Sequence, residues 1–308
     1  MQPRPDSPMT LAPGIRRIIA PNPSPFTYWG TNSYLYGEGE LALIDPGPRD
    51  PIHAKALLDA LKPGERISHI LVTHSHLDHS PLARDIALAT GAPILAFGDS
   101  EAGLSAVMQT LKETSDAADL GGGEGADPDF APDILLQDGE VIEGKSWALQ
   151  ALWTPGHFGN HLCFAPHDAA SNPANNFAFC GDLVMGWSTS IVSPPDGDLT
   201  DFMASCARIK SRNFATLHPG HGDPILDPTA RLTWLIEHRR AREAAILQAL
   251  QSGPQDIPAL TRAVYTDIAP ALLPAAARNV FAHLIDLHRR DQITAAPQLA
   301  LTAQFALI

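Results

Sequence analysis

The sequence is poor in cysteine, with three in 308 residues (Cys163, Cys180 and Cys206), odd in number and far apart. A disulfide framework is therefore not expected, and a reducing cytoplasm is. Long hydrophobic runs are also missing: no apolar stretch reaches the length of a bilayer span, so no membrane partner is expected. Residues 1–14 are proline-rich and lack an apolar core after a basic start, which is not the pattern of a secretory leader. Positive charge is scarce, since 21 Lys and Arg against 34 Asp and Glu leave a net charge of -13. Nucleic-acid binding relies on cations that displace counter-ions, so a broad electrostatic hold on nucleic acid is not expected. The deficit is uneven: from residue 228 onward eight arginines meet six acidic residues.

What is present has globular proportions, 44% hydrophobic and 18% charged. The length suits one large domain with a smaller companion. Short β-branched or aromatic runs bounded by glycine, proline or aspartate read as strands at 15–20, 33–36, 41–44, 67–73 and 94–97. Helical periodicity lies between some of them, at 52–61 and 82–89. A second series of strands reads at 134–136, 147–153, 161–165, 177–180 and 215–217, with a helix at 201–209. Two packed sheets covered by helices follow from this order. Residues 121–129 are glycine-rich and acidic and read as a mobile loop or insertion. After residue 228 the texture is helical, at 229–250, 257–265 and 274–289, and ends in a β-prone tail. The division is thus 11–227 and 228–308.

The chemistry is concentrated in Leu71-Val72-Thr73-His74-Ser75-His76-Leu77-Asp78-His79. An apolar strand ends in three histidines and an aspartate within six residues. In extended geometry alternate side chains share a face, so His74 and His76 point the same way, and the following turn presents Asp78 and His79 from another direction. Imidazole and carboxylate suit zinc, manganese or iron. Three more candidates stand where a strand gives way to a turn: His157 after Pro155-Gly156, Asp182 after Cys180-Gly181, and His221 after Pro219-Gly220. Glycine beside each permits a sharp turn.

This set, His74-x-His76-x-Asp78-His79 followed by His157, Asp182 and His221, resembles the metallo-β-lactamase superfamily. Asn22-Pro23-Ser24-Pro25-Phe26, Gly30-Thr31-Asn32-Ser33-Tyr34 and Pro219-Gly220-His221-Gly222 are similar, more narrowly, to the beta-lactamase-like proteins with a C-terminal winged-helix domain. The resemblance implies an α+β fold, a four-layer αββα sandwich with a small winged-helix-like helical domain behind it. It also implies two divalent metal ions, zinc first and iron or manganese as alternatives. His74, His76 and His157 would bind one ion, Asp78, His79 and His221 the other, and Asp182 would bridge them. The implied reaction is attack of a metal-bound hydroxide on an ester-type bond of a small-molecule substrate, such as a thioester or lactone, with Asp78 as the candidate catalytic residue orienting the hydroxide. A single-stranded RNA endoribonuclease using Arg239, Arg240 and Arg242 is one alternative. A mononuclear iron sulfur dioxygenase is another, and a binding module with a vestigial site a third.

Phe158 stands where relatives have threonine, and His76 where the oxygen-reducing di-iron branch has glutamate. His161 is expected to orient a ligand, and His218 is a candidate substrate contact. Residues 188–190 and 193–196 are candidates for the substrate entrance. Tyr28 and Trp29 read as core or as an apolar wall, and the arginines of 229–250 as a solvated helix face.

Overall fold

Period-two alternation decides the layering. Leu162 and Phe164 pack to one side of their strand, and Cys163 and Ala165 to the other. Phe177 and Phe179 are likewise separated from Ala178 and Cys180, and Ala42 and Ile44 from Leu41 and Leu43. Strands apolar on both faces must be covered on both. The computed structural model, which describes residues 4–114 and 125–308, shows this outcome.

The first sheet has seven strands in sequential order: β1 (Met9–Ala12), β2 (Ile15–Ile19), β3 (Asn32–Glu38), β4 (Glu40–Ile44), β5 (Arg66–Leu71), β6 (Ile94–Ala96) and β7 (Ile134–Leu135). β1 to β4 are antiparallel and β4 to β7 parallel. Helices α1 (Pro51–Asp59), α2 (Ala83–Thr90) and α3 (Ala106–Thr114) fall among the parallel strands. The second sheet comprises β8 (Val141–Glu143), β9 (Ala148–Trp153), β10 (Leu162–Pro166), β11 (Phe177–Gly181) and β12 (Thr216–Pro219), antiparallel except for the β11–β12 pair. Helix α4 (Leu199–Ser211) lies between β11 and β12 in the chain.

Tyr34, Tyr36, Ile44, Leu71, Leu149, Phe164 and Phe179 fill the space between the sheets. Leu57 of α1, Leu82 at the start of α2 and Ile86 within it cover Leu41, Leu43 and Ile70 outside the first sheet. Phe202 and Cys206 of α4 cover Cys163 and Cys180 outside the second. The four-layer αββα expectation holds. All three cysteines are buried and free.

The rest of the chain forms α5 (Pro228–Leu250), α6 (Ile257–Val264), α7 (Leu273–Arg289) and the antiparallel hairpin β13 (Ile293–Ala296) with β14 (Gln304–Leu307). Aspartates cap four helices: Asp50 accepts from Ile52 N at 2.7 Å, Asp198 from Thr200 N at 2.9 Å, Asp227 from Ala230 N at 2.9 Å and Asp256 from Ala259 N at 2.8 Å, and all but the helix after Asp198 carry a proline in the first turn. Both devices stabilise an N-terminus. Phe281, Leu284, Ile257, Leu260 and Phe305 form a separate core, and Met108 and Leu111 of α3 pack into it. Helix α3 therefore lies before residue 228 in the chain but packs with the segment after it, a tie that helical periodicity cannot reveal. No helix among the described residues is long and apolar enough to cross a membrane. Of the 121–129 loop, Gly121–Glu124 lie outside the described residues. From Gly125 the chain is fastened to the histidine motif: Leu77 N donates to Gly125 O at 3.1 Å and Asp127 N to Ser75 O at 2.8 Å.

Candidate metal centre

Each candidate leaves the end of a strand. His74 to His79 follow β5, His157 follows β9, Asp182 follows β11 and His221 follows β12. The structure brings all seven side chains into one buried cluster. His74 Nε2 lies 2.9 Å from His76 Nδ1, which is 3.1 Å from His157 Nε2. Across the cluster His221 Nε2 lies 3.1 Å from Asp78 Oδ2, and His79 Nε2 lies 3.4 Å from both Asp78 Oδ2 and His221 Nε2. Asp182 sits between the groups, with Oδ2 3.2 Å from His221 Nε2 and 3.8 Å from His157 Nε2, and Oδ1 3.5 Å from His79 Nε2.

The outward ring nitrogens decide which atoms face inward. His157 Nδ1 donates to Ile191 O at 2.7 Å, His221 Nδ1 to Gly30 O at 3.2 Å, and His79 Nδ1 to Asp45 Oδ2 at 2.9 Å. Thr73 Oγ1 donates its proton to Asp45 Oδ2 at 2.7 Å, so its lone pair accepts from His74 Nδ1 at 2.9 Å. With Nδ1 donating outward, these four rings turn Nε2 inward, the arrangement by which outer partners fix a metal-binding tautomer.

Charge divides the cluster: His74, His76 and His157 are held neutral, while His79 and His221 hold protons against the carboxylates, protons that a cation would displace. Burial, and then the neighbouring histidines, hold His74 and His76 well below the usual histidine range; burial also lowers His157. Burial would raise the Asp78 and Asp182 carboxyls, but the facing His79 and His221 outweigh it and hold both well below the carboxylate range. Conversely, burial opposes charge on His79 and His221, yet the carboxylates lift His79 well above its ordinary value and His221 to about 10. Asp78 Oδ1 and Asp182 Oδ1 are buried without a hydrogen-bond partner among the described residues. Converging lone pairs and orphaned carboxylate oxygens are costly together unless a cation is shared among them, so the donor set fits divalent metal ions.

Glycine has two different uses here. Gly156 has φ +130 and Gly181 φ +45, as a sharp turn demands. Gly220 serves clearance instead, because a Cβ there would stand 2.2 Å from Asp182 Oδ1. His161 orients Asp182 through its neighbourhood, accepting from Asp182 N at 3.2 Å, and the Phe158 ring meets His76 edge-on at 4.8 Å. The expectation for His218 fails: it is buried against Tyr34, Phe177 and Phe179, away from the cluster, because the one-residue offset from Leu217 turns it between the sheets. Sequence reasoning passed over Asp45, which accepts from Thr73 N and Oγ1 and from His79. Its signal was available, since Ile44-Asp45-Pro46-Gly47 repeats the strand-to-turn pattern of the other acidic site residue. Thr31, whose Oγ1 donates to Asp78 Oδ2 at 3.1 Å, lies in the Gly30–Tyr34 motif, which sequence reasoning noted without giving Thr31 a role.

A cavity of about 370 Å³ opens beside His157 and Asp182, with Phe26, Met185, Trp187, Ser188 and Thr189 on one wall and Trp234, His238, Arg242 and Tyr265 on another. Ser190 is buried behind it, and Ser193 accepts from Arg278 at 2.9 Å instead of lining it. Tyr28 is exposed and stacks on Trp29 and Trp187, so it is not core. The arginines of α5 do not all form a solvated face: Arg240 is exposed, but Arg239 is 2% exposed and donates to Ser190 O and to Asn279 Oδ1.

A two-sheet sandwich carrying a buried histidine–aspartate cluster at strand ends is the architecture of hydrolytic metalloenzymes. The model of the metallo-beta-lactamase superfamily matches residues 27–221, and that of the beta-lactamase associated winged helix domain residues 257–298. The chain belongs to the metallo-beta-lactamase superfamily. It is 28% identical over 296 residues to the beta-lactamase-like protein 2 homolog of Drosophila melanogaster, covering 92% of this chain and 90% of that one. It is 29% identical over 243 residues to an atrochrysone carboxyl ACP thioesterase of Cryptosporiopsis, covering 78% and 64%. The metallo-beta-lactamase family protein TTHA1429 of Thermus thermophilus superposes with a TM-score of 0.74 at 25% identity, over 97% of this chain and 100% of that chain.

Proposed function

We propose that this chain hydrolyses small acyl esters or thioesters with two divalent metal ions, zinc first. His74, His76 and His157 would hold one ion, Asp78, His79 and His221 the other, with Asp182 shared. The observation that carries the proposal is the pair of facing ligand triads with Asp182 between them, opening on a mostly apolar cavity. Bound there, the ions would supply an acidified water at neutral pH and an electrophilic surface for the carbonyl oxygen.

The chain's own groups do the rest. Asp45, Thr73, Ile191 O and Gly30 O keep four rings turned inward. Asp78 Oδ1, free of protein partners, accepts the hydrogen bond that orients the attacking water. Trp187 and Phe26 give the acyl group an apolar wall. The water oxygen joins the acyl carbon, the acyl–sulfur or acyl–oxygen bond breaks, and a carboxylic acid and a thiol or alcohol leave. The thioesterase names among the relatives support this class. The division at residues 227/228 and a cytoplasmic setting belong to the same proposal.

The RNA reading needs Arg239, Arg240 and Arg242 on an open surface. Arg240 is exposed, but Arg239 is buried and Arg242 is enclosed in the cavity wall. The test is elemental analysis of protein purified without added metal, together with a panel of thioesters, lactones, phosphodiesters and single-stranded RNA. Two ions per chain with metal-dependent turnover of a thioester or lactone is expected. A folded protein that takes up no divalent ion, or one that cleaves only RNA, would contradict the proposal.

A further inference from the structure

Helix α5 carries Arg231, Arg239 and Arg242 toward the cavity and its flanking loop, and every partner they have is neutral. Arg231 Nε donates to Met185 O at 2.7 Å, and its Nη2 to Ser188 O. Arg239 Nη1 donates to Asn279 Oδ1 at 2.7 Å, its Nη2 to Ser190 O, and its guanidinium lies 5.3 Å from the Phe202 centroid. Arg242 Nη1 donates to Val264 O at 2.7 Å, and its guanidinium lies 4.5 Å from the Tyr265 centroid. Among the described residues none of the three pairs with a carboxylate, although the chain carries a net charge of -13. Of the described residues lining the cavity, the one carboxylate is Asp182, already committed to the ligand cluster.

Cations sunk in a wall without counter-ions are costly, and the cost is offset when an anion arrives to share their field. The wall registers that field: burial first, and then Arg242, Arg239 and Arg231, push His238 down to about 4, so it stands neutral at the cavity. Arg242 is the arginine of the three that lines this cavity, and its Nε and Nη2 have no partner among the described residues. Those N–H groups match a carboxylate or a phosphate, which accept paired hydrogen bonds.

We propose that Arg242 is the anion-recognition group of this cavity, so that the substrate is an acyl compound bearing a carboxylate or phosphate that docks on Arg242 while its acyl portion lies against Trp187 and its scissile bond reaches His157 and Asp182. The inference rests on the hydrolase reading above. The anion has two possible sources, the far end of a dicarboxylic acyl group or the phosphates of the carrier of the leaving thiol.

The test compares, on the metal-loaded full chain, the N-acetylcysteamine thioesters of hexanoate and of adipate with hexanoyl-coenzyme A. At least one charged substrate should exceed the neutral one by about tenfold in kcat/KM, mostly through KM, on the scale of a charge-assisted hydrogen bond. Which one does so identifies the source of the anion. Arg242→Gln should bring that ratio to about one, Arg242→Lys should keep part of it, and Arg240→Gln, on the exposed face of the same helix, should keep all of it. Quenching of tryptophan fluorescence in metal-free protein by adipate or coenzyme A, lost in Arg242→Gln, supplies a readout independent of turnover. Failure of every thioester to react while that quenching persists would sink the hydrolase reading and leave the anion site standing. Turnover of all three at equal efficiency, or a ratio unmoved by Arg242→Gln, would overturn the anion site alone. Tighter Arg242-dependent binding of a single-stranded oligonucleotide than of either small anion would overturn it as well.

Discussion

The two walls of the cavity are built on opposite principles. The sandwich wall presents lone pairs and carboxylates that converge on a cation, each ring fixed by a hydrogen bond to a rigid strand end. The wall formed by α5, Tyr265 and α7 presents cations and aromatic rings with no acidic partner among the described residues. On the proposed reading, one wall selects the chemistry, and the other selects what the chemistry reaches. The difference teaches that the C-terminal segment is a component of the site: Arg231 and Arg239 hold the loop whose Ile191 carbonyl orients His157.

The sandwich wall should break hardest at its shared carboxylate. Asp182→Ala removes the carboxylate that lies between the two triads. It should lower kcat/KM by at least about a thousandfold, roughly 4 kcal/mol of transition-state stabilisation, with loss of bound metal by elemental analysis. A smaller effect is expected one layer out. Asp45→Ala leaves His79 and Thr73 without their acceptor and should weaken metal affinity by about 10- to 100-fold in a chelator competition, the usual cost of losing such a partner. Affinity equal to that of the parent protein would show that the ring is held in some other way.

The C-terminal segment gives the smallest expected effect near neutral pH, and it grows as the pH falls. His283 is buried with neither ring nitrogen paired, and burial, followed by Arg239 and its neighbours, lowers it to about 3. An imidazole kept neutral in the fold but free to protonate when unfolded favours the unfolded chain as pH falls. Its contribution is therefore intact above about 6.5 and is lost toward pH 3 at about 1.4 kcal/mol per pH unit. His283→Leu should flatten the acid limb of urea-measured stability by about that slope relative to the parent. Parallel acid limbs in the two proteins would refute the assignment.

Much of the sandwich was legible in the sequence, because strands buried on both faces are apolar throughout and the ligand motif is compressed into six residues between Thr73 and Ser80. Asp50, Asp227 and Asp256, each followed by a proline in the first turn, likewise mark helix starts. The features that escaped depend on contacts between distant segments. Met108 and Leu111 give helix α3 to the C-terminal core, a pairing across more than a hundred residues that no local period encodes. Arg239 looks in sequence like any charged helix residue, and its burial follows only from where α7 and the 185–193 loop meet it. His218 was misplaced for a related reason: alternation gives its side of the strand, but not which side faces the other sheet.

Anomalous diffraction from crystals of the zinc-loaded full chain, recorded on both sides of the zinc edge, is the most direct test of the paired-triad account. Two peaks are predicted, one against His74, His76 and His157 and one against Asp78, His79 and His221, with an Asp182 oxygen facing both. A single peak, or scattering away from these side chains, would contradict it.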